Sequence, residues 1–470
     1  MIYSIFRRFQ SRFMISGGLS YWRIFLYFYP EYISCLILYF LPYCIDCLFI
    51  CQLQSIQSYA ISGIVDNFLT MFLKAAEGLS IGIVITAGYY NGLSNFKKAG
   101  ESFVDAFWTI VTLGAGICTV LYFLGYYICT FNKFSPEMIL LGIPYLKYKA
   151  ISIFFMFLYF ALVGFLRAIK NTFVPMIVFA CGAVVFVLVD YALIFGAFGL
   201  PQYCLLGSAM ASIVQYAFMS FVMLLYILLA SANQRYSISL LKTKFDWCRT
   251  KNLLLLSVPV VLDKVSIAFA YAWLGSCMSS LGQTAGAAFS CIKMMERFAF
   301  IPAIACAQVI TFLVSNDMGR GQWSDIDANI KRVLIMAIFM VGIILMIGSI
   351  WPLWFVQFFD KQGQFGYLVA VIFPALSVLI LIDLLQLILS AALRGAGDVN
   401  TVMLTRMFVI GCYFIPSTYV ISSINFDQMV VKMLVTYAMF LMGNALMSIV
   451  YVYRLRQNHW KKLKKEACNG

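Results

Sequence analysis

Read for polarity alone, the chain is a series of long apolar runs separated by short polar breaks. Twelve runs stand out, at 24–54, 59–87, 102–130, 138–163, 174–199, 207–230, 252–277, 285–314, 333–357, 367–391, 403–424 and 429–453. The first could equally begin near Glu31. A helix of about 18 apolar residues is enough to cross a bilayer. Strand-like alternation is absent, and only a helix satisfies its own backbone in lipid without closing a barrel. The pattern predicts an all-α polytopic membrane protein with twelve spans.

Composition agrees: 63% of the 470 residues are hydrophobic, 11% are charged, and the mean hydropathy is +0.92. Soluble domains carry about 25% charged residues. Lysines and arginines lie almost entirely on one side of the expected membrane: in the start 1–23, at Lys97, Lys98, Arg167 and Lys170, in the segment 231–251, at Arg320, Lys331, Arg332 and Arg394, and in the end 454–470. The opposite loops hold little beyond Lys133 and Lys361. By the positive-inside rule both termini are expected in the cytoplasm. Net charge +14 therefore reads as a topology signal, with no nucleic-acid partner implied. The basic end "RLRQNHWKKLKKE" suits a tail resting on anionic lipid. The start "MIYSIFRRFQSRF" precedes an apolar run too long for a signal peptide and without a small-residue cleavage site.

Most of the fourteen cysteines fall inside the spans, where cysteine acts as a small apolar residue. Cys44, Cys47 and Cys51 share a helical face, but no histidine accompanies them, and no metal site is expected. The one histidine, His459, lies in the basic tail. Nothing resembles a phosphate-binding glycine loop or a nucleophile elbow, so neither a cofactor nor catalytic residues are expected.

The chain also repeats itself. "FLRAIKNTFVPM" (165–176) and "ALRGAGDVNTVM" (392–403) correspond at an offset of 227 residues. The same offset places Gly92 on Gly319 and Tyr59-Ala60 on Gly286-Ala287. Three coincidences at one offset predict a tandem duplication. Six spans per half return the chain to its starting side, so the halves are expected about a pseudo-two-fold axis along the membrane normal. The expected organisation is a cytoplasmic tail 1–23, a first lobe 24–230, a linker 231–251, a second lobe 252–453 and a tail 454–470. The motif Arg394, Gly395, Gly397 and Asp398 reads as a tight turn, with both glycines permitting positive φ. Arg394 is expected to anchor at the interface or bond the carbonyls ending the preceding helix.

The stretches "LRGAGD", "LRAIKNTFVP…VLVDYALIFGAFGLP…GSAMAS" (166–212) and "LGQTAGAAFSCIKMMERFAFIPAIACAQVITFLVSNDMGRG" (281–321) resemble the multidrug and toxic compound extrusion (MATE) family. The resemblance runs through both halves in order. It implies two six-helix bundles in a V that open alternately to either side and export substrates by H⁺ or Na⁺ antiport. It also implies a cation-coupling site in the first lobe from Asp46, Asp190 and Ser212, although Phe186 and Pro42 stand where the family has asparagine and tyrosine. Asp383 matches the tenth-span aspartate of some branches. The acid usual on span seven is missing, and Asp263 lies about one turn earlier, beside Lys264, which could neutralise it. The pair Asp263 and Asp383 is the expected second-lobe site.

Elementary energetics point the same way, since an aspartate near mid-bilayer costs about 2.5–3.5 kcal/mol and is rarely kept without a function. Further charges lie in the spans: Asp66, Lys74 and Glu77 on the second, Lys293, Glu296 and Arg297 on the eighth. Lys74/Glu77 and Lys293/Glu296 are i,i+3 pairs able to neutralise each other. Asp66 and Lys293 occupy equivalent places in the two halves, with opposite charge. Such mixed charge suits a wet cavity. The expectation is a monomeric exporter of small organic molecules, cationic or zwitterionic, in the plasma (inner) membrane. The alternative is a lipid-linked-precursor flippase or an exporter of an anionic metabolite from the same superfamily. With no nucleophile cluster in the spans, an enzyme is not expected.

Overall fold

A computed structural model describes residues 17–41, 47–53, 55–131, 135–240, 246–357, 360, 363–424, 426 and 428–457. Among them the regular structure is helical throughout. The long helices are α1 (Tyr21–Leu41), α2 (Ile56–Gly92), α3 (Phe96–Phe123), α4 (Pro136–Ala168), α5 (Phe173–Phe195), α6 (Leu205–Leu229), α7 (Trp247–Ser279), α8 (Gln283–Arg320), α9 (Trp323–Ile350), α10 (Gly366–Gly395), α11 (Val399–Ser423) and α12 (Met429–Arg456). Among the described residues, the eleven from α2 onward are long and apolar enough to cross a membrane. The first expected span instead comprises α1 and a short helix, Cys47–Gln52, with 42–46 between them outside the described residues.

Helix starts follow side-chain chemistry. Ser55, Asn95 and Ser135 accept hydrogen bonds from the N–H groups of Ser58, Lys98 and Met138 at the starts of α2, α3 and α4, satisfying donors a helix leaves open. Pro136 occupies the first helical position of α4, where no N–H is needed. Within α11 a π-helical stretch, Val409–Phe414, ends just before Pro416, and α geometry resumes over Ile415–Ser423.

The chain divides into two compact units, Ile33–Val265 and Met1–Tyr32 with Ser266–Gly470. The division falls inside α1 and α7, so each of these helices contributes to both units. In the first unit α4 is central, with 78% of its most apolar stretch buried; in the second α8 is, with 83%. The linker expected at 231–251 begins as a 3₁₀ turn, Ser231–Tyr236, and its last residues are already the first turn of α7. It is fastened to α3: Trp108 Nε1 donates to the Leu240 carbonyl at 2.9 Å, and Arg249 pairs with Glu101 and Asp105, each at 2.6 Å. In the second unit the lead-in to α1 is fastened to α9. Gly18 N donates to Asp325 Oδ1 at 2.9 Å, Leu19 N to Asn329 Oδ1 at 2.8 Å, and Arg332 to the Leu19 carbonyl.

The duplication is visible in the backbone. Lys170 and Gly397, equivalent at the 227-residue offset, both have positive φ, 64° and 87°. The bonds around them match as well: Asn171 N to Leu166 O at 2.8 Å, and Asp398 N to Leu393 O at 3.0 Å. Ser94 and Gly321 form a second such pair, at 59° and 72°. Gly395 is different from what the motif suggested. Its backbone is helical, and a Cβ there would lie 2.5 Å from the Thr311 carbonyl, so it permits α10 to lie close against α8.

Candidate functional site

Among the described residues, polar clusters interrupt the apolar interior of each unit. In the first unit, Asp66 on α2 faces α4: its carboxylate accepts from Tyr145 Oη at 3.4 Å and pairs with Lys149 Nζ at 3.3 Å. Lys149 also donates to Ser212 Oγ on α6 at 3.3 Å, and Ser212 donates to the Ser208 carbonyl at 3.1 Å. A second group joins α1, α2 and α7. Lys74 donates to Tyr39 Oη at 3.2 Å and to Glu77 at 3.0 Å, and Glu77 accepts Lys264 at 2.8 Å. One glutamate is thus shared by two lysines, and such pairing is what makes intramembrane charge tolerable.

Asp190 on α5 is fully buried and Asp263 on α7 nearly so, at 2% exposure. Asp263 belongs to the first unit, along with Lys264, and Asp383 to the second. Asp46 and Pro42 lie outside the described residues; Phe186 is buried on α5.

In the second unit Asp383 on α10 accepts the Asn444 amide of α12 at 2.8 Å. Glu296 on α8 accepts Lys293 Nζ at 2.9 Å and the Tyr437 hydroxyl of α12. The Lys293 ammonium lies 3.7 Å from the Tyr271 ring centre, a cation–π contact. Asp383 also feels the charges of Glu296, Lys293 and buried Arg406 on α11. Asp66 and Lys293 therefore each have an opposite charge within their own unit. Arg297, next to buried Glu296 on the helix, is exposed.

Sequence reasoning passed over Lys149, Arg406, Tyr437 and Asn444, and read Lys264 only as a neighbour of Asp263, whereas it pairs with Glu77. Lys149 was the most legible of them, a lysine inside the apolar run 138–163. Tyr437 and Asn444 are seven apart and so share one face of the last span. The loop motif is structural. Buried Arg394 donates to Ser390 Oγ at 2.8 Å, one turn back on its own helix. Asp398 accepts Thr401 Oγ1 at 2.7 Å and pairs with Arg454 at 2.7 Å, fastening the turn to the end of α12.

The MatE family profile matches residues 32–192 and 259–420, one segment in each half, and the two begin 227 residues apart. The chain belongs to the MatE family. MatE relatives include the probable multidrug resistance protein YoeA of Bacillus subtilis, 22% identical over 274 residues, 57% of this chain and 58% of that one. NorM of Thermotoga maritima, a probable multidrug resistance protein, is 23% identical over 258 residues, 54% of each chain. The multidrug resistance protein MdtK of Edwardsiella ictaluri is 19% identical over 349 residues, 74% of this chain and 76% of that one. The chain thus spans just over half the length of the first two relatives. Crystal structures of MATE in bent and straight conformations match with TM-scores of 0.84 and 0.83. They cover 95% and 94% of this chain and 96% of their own, at 16% and 17% identity, which establishes the fold. Family and helices together make this an integral, multi-pass membrane protein of the MatE family.

Proposed function

We propose that the protein is a secondary active transporter that exports small organic molecules, cationic or zwitterionic, by antiport of H⁺ or Na⁺ through alternating access. The observation that carries this reading is Asp383. It is a buried carboxylate on a membrane-spanning helix, and its hydrogen-bond partner among the described residues is a neutral amide, Asn444. An amide N–H serves a carboxylate and the carbonyl oxygen of a carboxylic acid alike. Asp383 can therefore change charge without losing its bond, as a coupling group must. Asp190 and Ser212, with Asp46, are the corresponding groups of the first half. The transporter works without a bound cofactor, as a monomer in the plasma membrane, with the basic loops and both termini cytoplasmic.

The test is transport by the purified chain in proteoliposomes under imposed pH or Na⁺ gradients. Asp383→Asn should leave the protein folded and inserted and lower gradient-driven export at least tenfold. Wild-type rates in that variant would remove Asp383 from coupling. One observation favours a second reading, export of an anion: Lys74, Lys149 and Lys264 lie partly or wholly buried in the first unit, two of them around one glutamate. Competition between anionic and cationic compounds in the same vesicles separates the two readings.

A further inference from the structure

The first unit carries a cation of its own beside the hydroxyl that the antiport reading assigns to a transported one. Lys149 lies inside α4 with 8% of its surface exposed. Its ammonium meets Ser212 Oγ at 3.3 Å, Asp66 Oδ1 at 3.3 Å and the Tyr145 ring at 5.4 Å from the centre. Ser212 gives its own proton to the Ser208 carbonyl, which leaves its oxygen as an acceptor for Lys149. A hydroxyl oxygen, a carboxylate oxygen and an aromatic face are also the ligands a dehydrated alkali ion seeks. Here a side chain supplies the positive charge instead.

We propose that Lys149 is a tethered cation that takes the place of an alkali ion at Ser212, so that the first half of the transporter rejects Na⁺. The inference rests on the antiport reading and deepens it to the choice of ion. A Na⁺ at Ser212 would have to share its oxygen with an ammonium. Two unit charges about 4 Å apart in a partly desolvated site repel strongly enough to weaken binding on the order of a hundredfold or more.

Two measurements on the purified full-length chain test this. The first is thermal unfolding in detergent with NaCl or choline chloride at equal ionic strength, which reports Na⁺ binding without transport. Wild type and Lys149→Arg should show no difference between the salts, whereas Lys149→Gln should be selectively stabilised by Na⁺. The second is export in proteoliposomes: Lys149→Gln should gain a dependence on Na⁺ that wild type lacks. Should Lys149→Gln fail to fold, Lys149→Met removes the ammonium and keeps the apolar stem, and Na⁺ should selectively stabilise that variant instead. Selective Na⁺ stabilisation of wild type overturns the proposal, as does a folded glutamine variant that ignores Na⁺. If no gradient drives wild-type export, the antiport reading falls, while the unfolding measurement still decides whether Lys149 excludes Na⁺.

Discussion

At the start of α10 the Asp360 carboxylate accepts the backbone N–H groups of Gln364, Phe365 and Gly366 at 2.9, 2.8 and 2.7 Å. Desolvation pushes its carboxyl up, but these N–H groups, with that of Gly363, outweigh it and hold the group below its ordinary 3.8. A depressed folded-state pKa means that its stabilising effect is complete above the unfolded value and is lost as pH falls through the folded one. Asp360→Asn should therefore lower the unfolding temperature at pH 7, and the difference from wild type should shrink below pH 3.8. An equal difference at both pH values would show that the bonds, not the charge, matter. Single residues were unevenly legible in the sequence. Asp190 and Asp383 announced themselves as acids in apolar runs, and both are buried. Lys264 and Asn444 did not, because their meaning lies in a partner on another helix: Glu77 for one, Asp383 for the other.

The turns between helices repeat more faithfully than the side chains that line them. Lys170 and Gly397 occupy one conformation, yet only glycine adopts it without a steric cost. Lys170→Gly should thus stabilise the protein by about 0.5–1 kcal/mol, and Gly397→Ala should destabilise it by at least as much. Denaturation of each variant beside wild type checks this, and two effects of the same sign would contradict it. Most helices were readable from hydrophobic runs, but their ends were not. α8 continues past the apolar run 285–314 to Arg320, because Asn316 and Asp317 are buried against neighbouring helices: Asp317 accepts the Asn329 amide of α9 at 2.8 Å. A polarity pattern ends a span where water-loving residues begin. It cannot see that α9 satisfies Asp317, or that Asn316 donates to the Phe312 carbonyl one turn back on its own helix.

At the scale of the whole molecule, the sequence placed the boundary between halves in a polar linker, whereas the compact units exchange the beginnings of α1 and α7. Nothing in the linker's composition signals that Arg249 will pair with Glu101 and Asp105, or that Gly18 will meet Asp325, since each bond joins segments far apart in the chain. That distance governs how the protein is made. Gly18 and Leu19 wait for partners 307 to 313 residues downstream. A ribosome adding about 5–20 residues per second leaves them waiting roughly 15–60 s. Over that interval the helices of the first half are synthesised while the lead-in to α1 has no seat. A nascent chain arrested after α8 should be cut by protease near Gly18, and one extended beyond α9 should be protected there. Equal cutting of both would mean that the lead-in is shielded by something other than α9. The lead-in to α1, synthesised before every helix of the first half, is in this way among the last segments to be fixed in place.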